Sequence, residues 1–252
     1  MSRPRSGARH GRRAGTRSRV GLIGVVGELL VTLGVLVALF AGWQLWWTDL
    51  AAGRTQAQAI SGLDWPTAPA AVPGSPAEPH REPAPTLPEP QAGTTFGVLH
   101  VPRWGPDYQV PISEGIDRAT ILNVLGIGHY PGTAMPGAVG NFAVAAHRTT
   151  YGKPFNRITE LEVGDSLVVR TEQTWYVYKV TGHEVVKPSQ VEVIAPVPGK
   201  PGTTPTTATI TLTTCHPQYS ARERYVVHGL LEYWMPVSDG TPVELGTRSA
   251  RA

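Results

Sequence analysis

The chain has 252 residues, enough for one good-sized domain with accessory segments. Its net charge of +3 belongs to a tail: the first nineteen residues hold seven arginines (Arg3, Arg5, Arg9, Arg12, Arg13, Arg17, Arg19) and no acid, so the remainder carries +3 less seven, or −4. That balance gives no reason to read the body as a nucleic-acid binder, and the single cysteine excludes an intrachain disulfide.

After the basic tail (1–19) comes an apolar run, residues 20–47, uncharged from Leu29 to Trp47 and close to the ~20 residues a bilayer-spanning helix needs. Glu28 lies on its basic side, and Trp43, Trp46 and Trp47 close the far end as an interfacial belt would. Arginines before the run and none just after it predict a single-pass anchor in a cell membrane, with a cytoplasmic N-terminus and an extracytoplasmic body. A cleaved signal peptide, whose apolar region is about 7–15 residues, is the competing reading. Residues 48–93 are proline-rich towards their end, from Pro66 to Pro90, and read as an extracytoplasmic spacer.

Residues 94–236 have a different texture. Short β-branched and aromatic runs alternate with Gly/Pro turns: Phe96–Val101, Tyr108–Ile112, Asn141–Ala146, Ser166–Thr171, Trp175–Val186, Thr207–Thr214 and Tyr225–Trp234. Such spacing predicts an all-β barrel or sandwich. Helical signals are few: Asp117 as a cap for Ala119–Leu125, and a turn or two at Phe155–Leu161. Residues 237–252 are polar and read as a loose tail.

Chemistry concentrates in TATITLTTCHPQYSARERYVVHGLL, Thr207 to Leu231. Ala208, Ile210 and Leu212 point one way along the strand; Thr207, Thr209, Thr211 and Thr213 point the other. Cys215 is in register with the threonines, so the thiol leaves the apolar face at a strand end. A free cysteine is commonly an inert core residue, and this parity argues against that. A nucleophilic thiol needs a proton partner. His147 suits that role, ending the strand NFAVAAHR off its bulky apolar face, although a hydrogen-bonded structural histidine fits the same pattern. No histidine pair shows metal-ligand spacing, and no metal or cofactor is expected. An acyl-transfer oxyanion needs donors, which either Arg222 or Arg224 can supply from beyond the loop.

These residues resemble the sortase family. The resemblance covers about Phe96 to Trp234 and rests on TLTTC at a strand end, Arg224 directly before the apolar Tyr225-Val226-Val227, and the upstream histidine of NFAVAAHR. It implies a closed eight-stranded sortase-type β-barrel with one or two short helices after the membrane helix. It also implies Cys215 as nucleophile, His147 as general acid/base and Arg224 as the transition-state arginine, with Arg222 the fallback. The implied reaction cleaves a C-terminal LAXTG/LPXTG-type sorting motif between Thr and Gly through a thioacyl intermediate. An amine of a peptidoglycan precursor then takes the surface protein.

GHYPGTAMPGAVGNFAVAAHR is most similar to class E, the housekeeping type of high-GC Gram-positive bacteria. Tyr130 matches the tyrosine linked there to accepting LAXTG, and Thr214 is the second expected substrate-binding residue. Class D, a pilus-type enzyme and a non-catalytic wall-binding β-domain remain alternatives. Clients, acceptor amine, oligomeric state and calcium dependence stay open, the last because Glu160, Glu162 and Asp165 sit close together without a recognisable loop.

Overall fold

The computed structural model describes residues 21–67 and 79–246, so the basic tail, the middle of the spacer and the last six residues lie outside the described part. The apolar run forms a helix, α1, Leu22–Ser61, long and apolar enough to cross a membrane. It does not stop at Trp47, the expected end of the anchor. Ala51, Ala52, Gln56, Ala57, Gln58 and Ala59 are good helix formers and carry it on through the start of the expected spacer.

Two units divide the chain after Gln44. In the second, the last turns of α1 join the β-domain. Ala52 and Gln56 are buried there. Asp49 accepts from the Gly152 N–H (3.1 Å) and pairs with Lys153 (2.9 Å), while Gln56 Nε2 donates to the Tyr151 carbonyl (3.2 Å).

Eight strands close into a barrel: β1 Thr95–His100, β2 Gln109–Glu114, β3 Ile127–His129, β4 Gly140–Ala145, β5 Ser166–Arg170, β6 Thr174–Val186, β7 Ala208–His216 and β8 Glu223–Pro236. Their order is β1-β2-β3-β4-β7-β8-β6-β5, and β5 returns to β1. The pairs β2–β3 and β4–β7 are parallel, the others antiparallel. Alternation fills the interior as expected: Phe142 and Val144 of β4 meet Ile210 and Leu212 of β7, beside Leu99, Ile112 and Leu167.

Seven of the strands coincide with the β-rich runs. The eighth, β3, is three residues long, and its Gly128 lies so close to β2 that a Cβ there would stand 2.3 Å from the Gly115 carbonyl oxygen. Asp117 caps as expected, its Oδ1 accepting from Ala119 N (3.1 Å) and Thr120 N (2.9 Å) over one π-helical turn, Arg118–Leu122.

Part of the expected spacer and the start of the expected loose tail pack on the barrel. Residues 79–93 run as a strap over the barrel. His80 exchanges backbone bonds with Trp234 (2.9 and 3.0 Å) and stacks on its ring, Pro85 O accepts from the Tyr176 hydroxyl (2.7 Å), and Ala84 and Leu87 lie on the core. After Pro236, a short helix, α2, Val243–Gly246, sets Leu245 against Trp175 and Met235. Tyr233 donates to Glu244 there (2.5 Å). Short apolar anchors and carbonyls do this work, and neither leaves a periodic signal in the sequence.

Candidate active site

The antiparallel β7–β8 ladder pairs Cys215 with Arg224, Cα opposite Cα, so both side chains stand on one face. That face is the outer one, since Tyr225 and Leu212, one and three positions away, belong to the barrel core. Cys215 is a free, half-exposed thiol. Arg224 is half-exposed too, and its Nη1 donates to the carbonyls of Ala221 (3.0 Å) and Glu223 (2.9 Å), which hold the guanidinium at the loop's end.

On the other side of β7, the parallel register pairs Ala143 with Thr211 and Ala145 with Thr213. Ala146 N–H still donates to the Thr213 carbonyl (3.2 Å), so the pairing persists past the end of β4. The register ends at Ala145 and Thr213, and His147 follows the one by two residues as Cys215 follows the other. Cys215 and Arg224 are thus cross-strand partners, and His147 lies two residues past the end of β4, the other neighbour of β7.

His147 is held by groups that sequence reasoning missed. Its Nε2 lies 2.7 Å from Asn123 Oδ1 at the end of the π-helical turn, its ring centroid is 5.2 Å from that of Tyr151, and its carbonyl accepts from Phe155 N (3.0 Å). An acceptor at Nε2 places the imidazole proton there and leaves Nδ1 free to exchange protons. Nothing in the spacing of Asn123 or Tyr151 marks them, because each acts across a loop.

Burial pushes the His147 pKa below the ordinary imidazole value, and the nearby Arg118 guanidinium pushes it the same way. Both causes favour the neutral ring. Stability supplied by this neutral ring is complete above the unfolded value of about 6.5 and is lost as pH falls through the lower folded one. Arg118→Gln is expected to raise the His147 pKa, by less than full exposure would because burial is the larger cause. Proton NMR titration of the His147 ring reads this directly, and an unchanged or lowered midpoint contradicts it.

Tyr130 stands beside the same face, its hydroxyl 3.0 Å from Thr213 Oγ1. Thr214 does not join it. Its parity matches Leu212, it is 3% exposed, and its hydroxyl donates to the Ala146 carbonyl at 2.7 Å. Thr214 thus ties the end of β4 to β7 and has no open face for substrate. Arg222 is exposed on the loop, outside the β7–β8 register that holds Arg224.

The connection from β6 to β7 forms a wall over this face. Asn141 Nδ2 clips it to β4 through the carbonyls of Val193 (3.3 Å) and Ala195 (3.0 Å). Between that wall and the loop after Tyr130 lies a mainly apolar pocket lined by Thr133, Val139, Asn141, Ile194, Pro196 and Pro205. The clustered acids lie elsewhere and are matched by arginines: Arg103 bonds Glu162 (2.9 Å) and Asp165, and Arg157 bonds Glu160 (2.7 Å).

The sortase domain family matches residues 99–232. This chain belongs to the sortase family. Among its relatives are the sortases SrtE1 and SrtE2 of Streptomyces coelicolor. SrtE1 is 40% identical over 86% of this chain and 59% of its own length, and SrtE2 is 35% identical over 88% and 86%. The chain therefore spans less than two thirds of SrtE1.

Among solved structures, the SrtA sortase of Actinomyces oris superposes with a TM-score of 0.63 at 45% identity, covering 66% of this chain and 96% of that one. SrtE1 of S. coelicolor with a tripeptide in its active site gives 0.56 at 41% identity, covering 62% and 99%. Sortase E of Streptomyces avermitilis (TM-score 0.56, 40% identity) is a further likeness, and with SrtE1 and SrtE2 it supports class E for this sortase, which has the closed eight-stranded barrel typical of the family.

Proposed function

We propose that this sortase is a membrane-anchored cysteine transpeptidase that joins surface proteins bearing a LAXTG/LPXTG-type motif to a peptidoglycan amine. The observation that carries the reading is the cross-strand pairing of Cys215 with Arg224 on an outward face, with His147 two residues beyond the end of the neighbouring β4. The thiolate attacks the threonine carbonyl carbon, and Arg224 N–H groups stabilise the resulting oxyanion. Collapse breaks the Thr–Gly bond as His147 delivers a proton to the departing glycine nitrogen, leaving a thioester on Cys215. The acceptor amine attacks that thioester, gives its proton to His147, and leaves as the new amide while the thiolate is regenerated.

The motif lies along the face between Tyr130 and the β6–β7 wall, with its leading apolar residue in the adjoining pocket. Seven arginines before α1 orient the chain with its N-terminus in the cytoplasm and the barrel outside.

Competition between LAXTG and LPXTG peptides, with a soluble amine and the new amide weighed by mass, tests the substrate side. LAXTG is expected to win. Tyr130→Phe, which loses the 3.0 Å bond to Thr213, is expected to change the ratio of kcat/KM values about five- to tenfold, the worth of one hydrogen bond. Equal use of both peptides, unaltered by Tyr130→Phe, removes Tyr130 from specificity.

A further inference from the structure

Each of the three groove residues is followed in the chain by one that faces the opposite side of the same strand end. Arg148 follows His147, His216 follows Cys215, and Tyr225 follows Arg224. These followers meet one another behind the groove. Arg148 Nη1 lies 2.7 Å from His216 Nδ1, the Arg148 guanidinium carbon is 5.9 Å from the Tyr225 ring centroid, and the His216 and Tyr225 rings are 5.6 Å apart. Every pair in the set is in contact.

The chemistry of the set is specific. A guanidinium has donors only, so the 2.7 Å contact requires Nδ1 of His216 to accept, with the imidazole proton on Nε2. His216 is then a neutral acceptor spent on Arg148. Arg148 is 6% exposed, and its Nε is buried without a hydrogen-bond partner among the described residues. Its carbonyl is held by Asn156 Nδ2 at 2.9 Å. Burying a cation on a neutral nitrogen and a ring face costs stability that an apolar cluster of the same volume would not. Such a cost, placed one residue behind each member of the groove, calls for a return in geometry.

We infer that Arg148, His216 and Tyr225 form a positioning unit that bridges three strand ends from behind and so sets the spacing of His147, Cys215 and Arg224 in front. The inference rests on the reading of those three as catalytic. His147 lies two residues beyond the last residue of β4 and one beyond the last backbone bond to β7, so the Arg148–His216 bond is a direct side-chain link between its segment and that of the nucleophile. Tyr225 carries the link to the strand of Arg224, and Tyr225 also stacks against His183 of β6 (5.5 Å, 13° between planes). The catalytic residues need not touch one another in the free enzyme for their spacing to be held.

The test uses the full chain in detergent micelles with a LAXTG peptide and a soluble amine, recording kcat, KM and Tm. Arg148→Met, which keeps the aliphatic stem, is expected to lower kcat ten- to a hundredfold with KM within about twofold, the cost of misplacing reacting groups by an ångström or less. His216→Phe is expected to fall equally. His216→Gln, which restores a side-chain acceptor, is expected to recover at least tenfold over His216→Phe. The double variant Arg148→Met/His216→Phe is expected to be no worse than either single one, because the pair acts as one unit.

Multiplying losses in the double variant, equal kcat for His216→Gln and His216→Phe, or a loss matched wholly by unfolded protein would overturn the inference. Should Arg148→Met not fold, the His216 pair decides alone. Cys215→Ala keeps the two levels apart: if it is inactive while Arg148→Met is fully active, only the positioning unit fails. If Cys215→Ala remains active, the catalytic reading fails first.

Discussion

Cys215→Ala is expected to abolish amide formation, with residual turnover indistinguishable from the peptide and amine left alone in buffer. The reason is chemical rather than structural. Without the sulfur there is no thioester, and the groups that remain around the site have no nucleophile to assist. Cys215 is half-exposed at the end of β7, and its ladder bonds to β8 belong to the backbone. Removing its sulfur therefore opens no core cavity, and Tm is expected to stay within a few degrees of the parent. Loss of activity with an intact fold separates a catalytic thiol from a structural one. Turnover retained in Cys215→Ala is incompatible with the proposed chemistry.

His147→Ala is expected to cost 10²–10⁴-fold in kcat, the usual worth of a positioned acid/base. The loss should be partly relieved by raising pH, which supplies thiolate without the imidazole, but not at the step where glycine departs. A substrate with a better leaving group in place of glycine is therefore expected to recover more activity in His147→Ala than in the parent. Equal sensitivity of both proteins to the leaving group would mean that His147 is not the proton donor. Asn123 holds the ring from the far side at 2.7 Å, so its loss should disturb orientation without removing the proton carrier.

Much of this site was legible because strands alternate. The threonines and apolar residues of β7 assign Cys215 to the outer face without any structure, and NFAVAAHR does the same for His147. Alternation also separates Thr214 from the nucleophile. Thr214 adjoins the nucleophile in sequence and for that reason shares neither its face nor its role; its hydroxyl ties down Ala146. Arg224 was preferred to Arg222 because it directly precedes the apolar Tyr225-Val226-Val227, and the β7–β8 register sets it opposite Cys215.

Asn123 and Arg148 were invisible because each acts through a contact between segments far apart in the chain, and Tyr151, four residues from His147, because a loop turns its ring back onto the imidazole. The fold shows the same divide. Seven strands carry enough β-branched or aromatic residues to announce themselves, whereas β3 has three residues, one a glycine pressed against β2. The proline-rich strap, read as a spacer, holds the barrel through single side chains and carbonyls, which leave no pattern in the sequence.

The most direct measurement is the mass of the enzyme itself during turnover. Full chain is mixed with motif peptide, amine acceptor is withheld, the reaction is quenched in acid, and the protein is digested and weighed. An adduct equal to the peptide up to its threonine, on the fragment containing Cys215 and released by hydroxylamine, is the predicted result. Cleaved peptide accompanied by unmodified Cys215, or an adduct on any other residue, contradicts the account.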